Sequence, residues 1–209
     1  AIGAGIPVSA GAVTINKMCG SGMKAAVMAA ESILAGTNSI VVAGGMESMT
    51  NAPYLLAKHR SGARLGHDVI KDSMMLDGLE DAYDPGRAMG TFAEQAATEY
   101  QFTRAAQDDY ALRSLSRAKD AISSGAFEGE IVAVDVAGRG GAVTLSVDEQ
   151  PANAKPDKIP TLKPAFVKDG TVTAANSSSI SDGAAALVIT RESVAKAKGL
   201  TVEARIISW

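Results

Sequence analysis

Cys19 is the one cysteine in the 209-residue chain. It lies in the stretch Gly11-Ala-Val-Thr-Ile-Asn-Lys-Met-Cys-Gly-Ser-Gly-Met-Lys24. A thiolate is a strong nucleophile that can carry an acyl group as a thioester, so the question is whether the surroundings activate it. Gly11 to Met18, with β-branched Val13, Thr14 and Ile15, predicts a short strand. Gly20-Ser21-Gly22 predicts a tight turn, and Met23 to Leu34 is rich in helix-forming Ala, Met, Lys and Glu. Cys19 is therefore expected where a strand hands over to the positive end of a helix, a position that favours thiolate. The flanking glycines admit a substrate close to the backbone. The serine elbow of the hydrolases follows the same design with oxygen in place of sulfur. The competing reading is a buried cysteine that only packs.

Further stretches share this glycine-punctuated character: Val42-Ala-Gly-Gly-Met-Glu-Ser-Met49, Met89-Gly-Thr-Phe-Ala-Glu94, Gly170-Thr-Val-Thr-Ala-Ala-Asn-Ser-Ser178 and Asp182-Gly-Ala-Ala-Ala-Leu187. Together with Asn16 to Lys24, and in this order along the whole chain, they resemble the motifs of the thiolase family, most closely its acetyl-CoA acetyltransferase branch. The resemblance implies a layered α/β/α core with an inserted α+β loop domain. It also implies acyl exchange between acetyl-CoA and acetoacetyl-CoA through an acyl-cysteine on Cys19, whose N–H would be one oxyanion donor. Coenzyme A and acetyl-CoA would be substrates, with no permanently bound cofactor. Met89, Phe166, Ala174 and Ser178 match positions along the coenzyme path, and Ser178 would touch the pantetheine chain. Ala88 stands where many biosynthetic thiolases carry a histidine, which removes one expected contact. The family's activating histidine, water-holding asparagine and second cysteine belong to motifs with no counterpart here, so the isolated 209 residues are expected to be inactive. Homodimers or homotetramers are the implied assemblies. The alternatives are a longer-chain 3-ketoacyl-CoA thiolase, or a non-catalytic thiolase-like carrier of acyl-CoA or lipid.

Other candidate groups are weaker. His59 and His67 sit in a polar segment, where a solvated or interface histidine is the commoner outcome, and they lack the partners a zinc site needs. Arg87, Lys158 and Lys163 could meet the coenzyme's phosphates or simply be surface charge. Gly44-Gly45 lacks the full spacing of a dinucleotide fingerprint.

Composition narrows the class. The chain is 46% apolar, 21% charged and 4% aromatic, with 21 glycines, which fits an Ala/Gly-rich α/β protein rather than a disordered one. A net charge of -3 gives no basic footprint for nucleic acid. No apolar run is long enough for a membrane span, and a lone cysteine fits a reducing, cytoplasmic compartment. The first residues, Ala1-Ile-Gly-Ala-Gly5, have no initiator Met and no signal-peptide pattern, and the last read as the start of a strand. A fragment lacking the extreme N-terminus and the C-terminal half of a longer protein is expected.

The elements divide the chain. Residues 1–50 form a first core unit, in which Val27, Met28, Ile33 and Leu34 are the expected helix contacts and Gly36 closes the helix. Ser39 to Gly45 is a continuous apolar run, read as a buried strand of a parallel sheet in a βαβ unit. Residues 51–173 form the inserted loop domain, opening on a long excursion from Asn51 to Asp68 that in thiolases contributes to contacts between dimers. Met89 to Tyr100 and Arg104 to Ser124 read as helices, with Thr103 as N-cap of the second and Gln107 in the next turn as a weak capping-box partner. Ile131 to Val136 and Val143 to Val147 read as strands joined by a hairpin turn over Gly138 to Gly141, and Pro151 to Pro164 reads as coil. Residues 174–200 return to the core with a strand from Asp182 to Thr190 and a helix from Arg191 to Gly199. Residues 201–209 would open a second thiolase domain, with a strand from Val202 to Ser208.

Overall fold

Local helix propensity and strand pairing divide the chain into eleven α and β elements, in the computed structural model that describes residues 1–138 and 140–209. In chain order these are α1 (Ser21–Leu34), β1 (Ile40–Glu47), β2 (Tyr54–Leu55), β3 (Lys71–Asp72), α2 (Met89–Glu99) and α3 (Arg104–Ser123). They are followed by β4 (Val134–Gly138), β5 (Gly141–Leu145), α4 (Glu149–Asn153), β6 (Gly183–Thr190) and α5 (Glu192–Ala197). They form two compact units, Ala1–Pro85 with Ile180–Trp209, and Gly86–Ser179.

In the first unit α1 packs on a two-stranded sheet of β1 and β6. Small side chains allow close approach: Ala29, Ala30 and Ile33 of α1 and Ala43 of β1 are buried. Gly22 and Gly45 bring the first turn of α1 against the strand backbone, since a Cβ on Gly45 would lie 3.1 Å from Gly22 Cα. The C-terminal end of α1 is a Schellman closure, as the glycine at 36 predicts. Gly36 has φ 79°, its N–H donates to Ile33 O at 3.1 Å, and the Thr37 N–H donates to Ser32 O at 3.0 Å. The Arg191 guanidinium also donates to Ile33 O. The helix is thus held at both ends. Met28 and Leu34, expected in the core, are exposed, because they lie off the helix face that carries buried Ala29, Ala30 and Ile33.

Four expectations for this unit are corrected. β1 pairs with β6 antiparallel, from Ile40 opposite Thr190 to Glu47 opposite Gly183, so the parallel βαβ reading does not hold. Nor is β1 the buried strand expected from its apolar run, since Ala43 is the only one of its eight residues that is buried. Gly11 to Met18 forms no strand, and Val13 is 78% exposed. Val202 to Ser208 forms none either. A strand exists only when a neighbour takes its backbone hydrogen bonds, and among the described residues β1 and β6 have only each other. The excursion after residue 51 is closed at its base by β2 and β3, with Tyr54 opposite Asp72 and Leu55 opposite Lys71.

In the second unit α2 and α3 match the expected helices within a residue or two. Thr103 caps α3 by accepting the Ala106 N–H at 3.1 Å. Gln107 does not complete a capping box. Its amide donates to Phe102 O at 3.1 Å and to Thr171 Oγ1 at 2.9 Å, because it lies one residue beyond the position that reaches back to the cap. β4 and β5 form the expected hairpin; the turn expected over Gly138 to Gly141 includes Arg139, which lies outside the described residues. The segment expected as coil forms α4 and a 3-10 helix, Pro156–Thr161. Asp148 caps α4, and proline at the first position suits the 3-10 turn. Pro151 and Ile159 are buried there, and both helices pack on α3.

Candidate active site

The cysteine elbow in the first unit is built without a preceding strand. Met18 has φ 44°, a left-handed conformation that costs a non-glycine residue about 1–2 kcal/mol. Hydrogen bonds on both sides hold it there. The Met18 N–H donates to Asn16 Oδ1 at 2.8 Å, and the Met18 carbonyl accepts Ser21 Oγ at 2.7 Å and the Ser21 N–H at 3.1 Å. The Lys17 N–H closes the loop on Ser21 Oγ at 2.8 Å. Asn16 and Ser21, both motif residues, therefore fix the turn from which Cys19 projects. Cys19 is a free, exposed thiol two residues ahead of α1. Gly22 completes the arrangement, since its contact with Gly45 anchors the helix that follows the elbow.

The same unit carries both histidines. His59 Nδ1 lies 3.0 Å from Asp68 Oδ2 within the excursion, and His67 is exposed. Asp182, in the motif ahead of β6, accepts the Thr50 N–H at 2.9 Å. That bond, with the Thr50 hydroxyl, holds its carboxyl below its ordinary range. The strand end that follows β1 is thereby tied to the start of β6.

The second unit holds the other four candidate residues. Met89 is the first residue of α2 and is half-exposed. Phe166 lies against the next residue, Gly90, where a Cβ would overlap its ring. Phe166 also lines an open depression of about 440 Å³ formed by residues 163–169, which includes Lys163. The loop there turns at Val167 to Gly170, with Asp169 at φ 60°, and is closed by the Ala165 N–H on Val172 O at 2.9 Å. Ala174 and Ser178 follow on the next stretch, both exposed. Arg87 is committed elsewhere: its guanidinium sits 3.8 Å from the centroid of Phe92 and donates to Gln95 Oε1 at 3.0 Å. Lys158 and Lys163 are exposed.

What fixes residues 170–178 is a polar network that the residue types alone did not reveal. Glu94 of α2 is only 8% exposed. It accepts the Val172 N–H at 2.7 Å, the Thr171 N–H at 2.9 Å on each oxygen, and the Thr171 hydroxyl at 3.0 Å. Burial pushes its carboxyl up, but the hydrogen bonds from Thr171 and Val172 outweigh this and hold it below its ordinary range. Asn176 donates to Thr171 O at 3.0 Å and to Asp108 Oδ1 at 3.1 Å, and accepts the Thr173 N–H at 2.7 Å. Asp108 is in turn paired with Arg104 at 2.7 Å. The Ser177 hydroxyl donates to Thr173 O, and Thr173 is fully buried. Among the described residues no group of three metal-ligating side chains occurs, and no helix is long and apolar enough to cross a membrane.

Comparison with known proteins places these observations. The family model for the thiolase N-terminal domain matches residues 1–193. The chain is 52% identical over 198 residues to an acetyl-CoA acetyltransferase of Escherichia coli (strain K12), covering 94% of this chain and 50% of that one. It is 47% identical over 211 aligned residues to an acetyl-CoA acetyltransferase of Schizosaccharomyces pombe, covering 100% of this chain and 53% of that one. It superposes with TM-score 0.86 and 42% identity on Acat5 thiolase from Ascaris suum, solved in complex with coenzyme A, over 96% of this chain and 50% of that one. With the acetyl-CoA acetyltransferase from Syntrophomonas wolfei the TM-score is 0.87 at 39% identity, over 96% of this chain and 50% of that one. The chain spans about half the length of the curated relatives it matches. Its mixed α/β fold is thiolase-like, and the chain belongs to the thiolase family.

Proposed function

We propose that these residues form the N-terminal half of an acetyl-CoA acetyltransferase in which Cys19 carries the acetyl group. The observation that carries the reading is the exposed thiol on a turn held in a left-handed conformation, directly ahead of α1. That geometry suits attack on a thioester far better than it suits packing. In the first half-reaction the Cys19 sulfur attacks the acetyl carbonyl of acetyl-CoA. The bond to the coenzyme sulfur breaks and coenzyme A leaves with a proton. In the second, the α-carbon of another acetyl-CoA, deprotonated by a base outside these residues, attacks the acetyl-cysteine and releases acetoacetyl-CoA. Run in reverse, coenzyme A cleaves acetoacetyl-CoA by the same intermediate.

Coenzyme binding is assigned to Met89, Phe166, Ala174 and Ser178. The support is an aromatic ring beside the start of α2, an open depression next to it, and a rigidly tied loop bearing an exposed hydroxyl. Residues 1–50 and 174–200 are read as the core of this half, 51–173 as the insertion and 201–209 as the opening of the second domain. A homodimer or homotetramer working in the cytoplasm completes the proposal.

The test is thiolysis of acetoacetyl-CoA by the full-length protein and by Cys19→Ala. The wild type turns over, and the variant falls by several orders of magnitude while still binding coenzyme A. Equal turnover by the two would overturn the assignment. A profile of 3-ketoacyl-CoA chain lengths decides the pocket: a maximum at four carbons supports the acetyltransferase, and a maximum at longer chains supports the longer-chain thiolase.

A further inference from the structure

Glu94 makes an unusual investment for a helix residue. A carboxylate removed from water is costly unless its oxygens are fully served by donors. Here those donors are the Thr171 N–H, the Thr171 hydroxyl and the Val172 N–H, all from a segment more than seventy residues away in sequence. Among the described residues no ion pair reaches it. Its charge is balanced by the amides of one loop, and so the interaction constrains that loop rather than the helix. Gly170 makes room for it, since a Cβ there would overlap Glu94 Oε1. Gln107 then steadies the Thr171 hydroxyl at 2.9 Å, and Asn176 ties the far end of the same loop to Asp108.

We infer that Glu94 is a positioning residue for coenzyme A, acting through residues 170–178 to present Ala174 and Ser178 to the substrate. The inference rests on the coenzyme-binding role proposed above for those two residues. Ala174 lies two residues beyond the last backbone donor, and Ser178 two residues beyond the Asn176 tie. A loop with exposed contact residues keeps a defined shape only if its backbone is fixed from beneath. Glu94 and Asn176 supply that fixing from the two sides.

The experiment measures alkylation of Cys19 by iodoacetamide in the full-length protein, with desulfo-coenzyme A, which has no acetyl group to transfer and no thiol to react, added as protectant. Iodoacetamide is small and needs no coenzyme loop. Glu94→Ala is therefore expected to label at the wild-type rate without the protectant. The concentration giving half-protection rises by about tenfold or more, the scale expected from unpairing buried donors. Glu94→Gln keeps one acceptor oxygen for the Val172 N–H but sets its amide NH2 against the Thr171 N–H, so it recovers only part of the protection. A KM for acetyl-CoA that rises with kcat little changed agrees with this. If Glu94→Ala does not fold, Gly170→Ala displaces the same carboxylate and takes its place. Half-protection at the wild-type concentration, with only the melting temperature lowered, overturns the inference and leaves Glu94 a stabilising residue. A wild type that desulfo-coenzyme A does not protect at all overturns the functional reading on which it rests.

Discussion

Replacing Gly45 by alanine tests how closely the elbow depends on the strand behind it. A Cβ on Gly45 would lie 3.1 Å from Gly22 Cα and 3.4 Å from Gly22 N, closer than carbon atoms normally pack. Neither glycine has a positive φ, so space alone selects glycine here. The reverse substitution is different, because a Cβ on Gly22 would lie 3.6 Å from Gly45 Cα, an ordinary contact. The neighbour that must yield to Gly45→Ala is the backbone of α1's first turn. That helix is held by buried Ala29, Ala30 and Ile33 and by the Arg191 contact at its far end. A methyl group forced into such a packed contact costs about 1–3 kcal/mol. Gly22→Ala gains helix propensity of up to about 1 kcal/mol with no clash, so it is neutral or stabilising. Gly44→Ala drives a Cβ into the Ala185 carbonyl oxygen of the paired strand and is the most damaging of the three. Urea denaturation of the three full-length variants, read with the rate of Cys19 acetylation, checks the order. Gly45→Ala should be less stable and slower than Gly22→Ala. The reasoning fails if Gly45→Ala matches the wild type in both, or if Gly22→Ala is the worse of the pair.

Two further predictions follow from the hydrogen bonds. Ser21→Ala removes the hydroxyl that bridges Lys17 N–H and Met18 O at 2.8 and 2.7 Å. It should cost about 1 kcal/mol in denaturation, with a larger proportional loss in Cys19 acetylation as Met18 leaves its left-handed conformation. The Glu94 carboxyl is held below its ordinary range in the folded chain. Its contribution is therefore complete above the unfolded value of about 4.3 and lost as pH falls through the lower folded value. The stability gap between wild type and Glu94→Gln should be constant near neutrality and close only below about pH 4; a gap that widens in acid would contradict the sign.

Local features were legible and non-local ones were not. α2 and α3 follow from composition and from Thr103, whose capping bond is made within four residues. The Gly36 closure is equally local, since it needs only a residue that tolerates φ 79°. The stretches before Met18 and after Val202 have strand-like residues, yet strand formation depends on a partner that neither has among the described residues. β1 was recognisable as an apolar run, but the direction of β6 is set by topology, which no run of Val and Ala encodes. Glu94 was visible as part of a motif, with nothing in its neighbours to mark it as buried, because its donors come from Thr171 and Val172. Cys19 stands out by type and spacing as the candidate nucleophile. The reason it projects, a left-handed Met18 pinned by Asn16 and Ser21, emerges only from the backbone.

The most direct measurement is mass analysis of the full-length protein after brief exposure to acetyl-CoA and acid quenching, followed by peptide mapping. The account predicts one acetyl group per chain on the peptide containing Cys19, absent in Cys19→Ala and removed when free coenzyme A is added before the quench. A wild type that stays unmodified while turning over, or that is acetylated equally in Cys19→Ala, would contradict it.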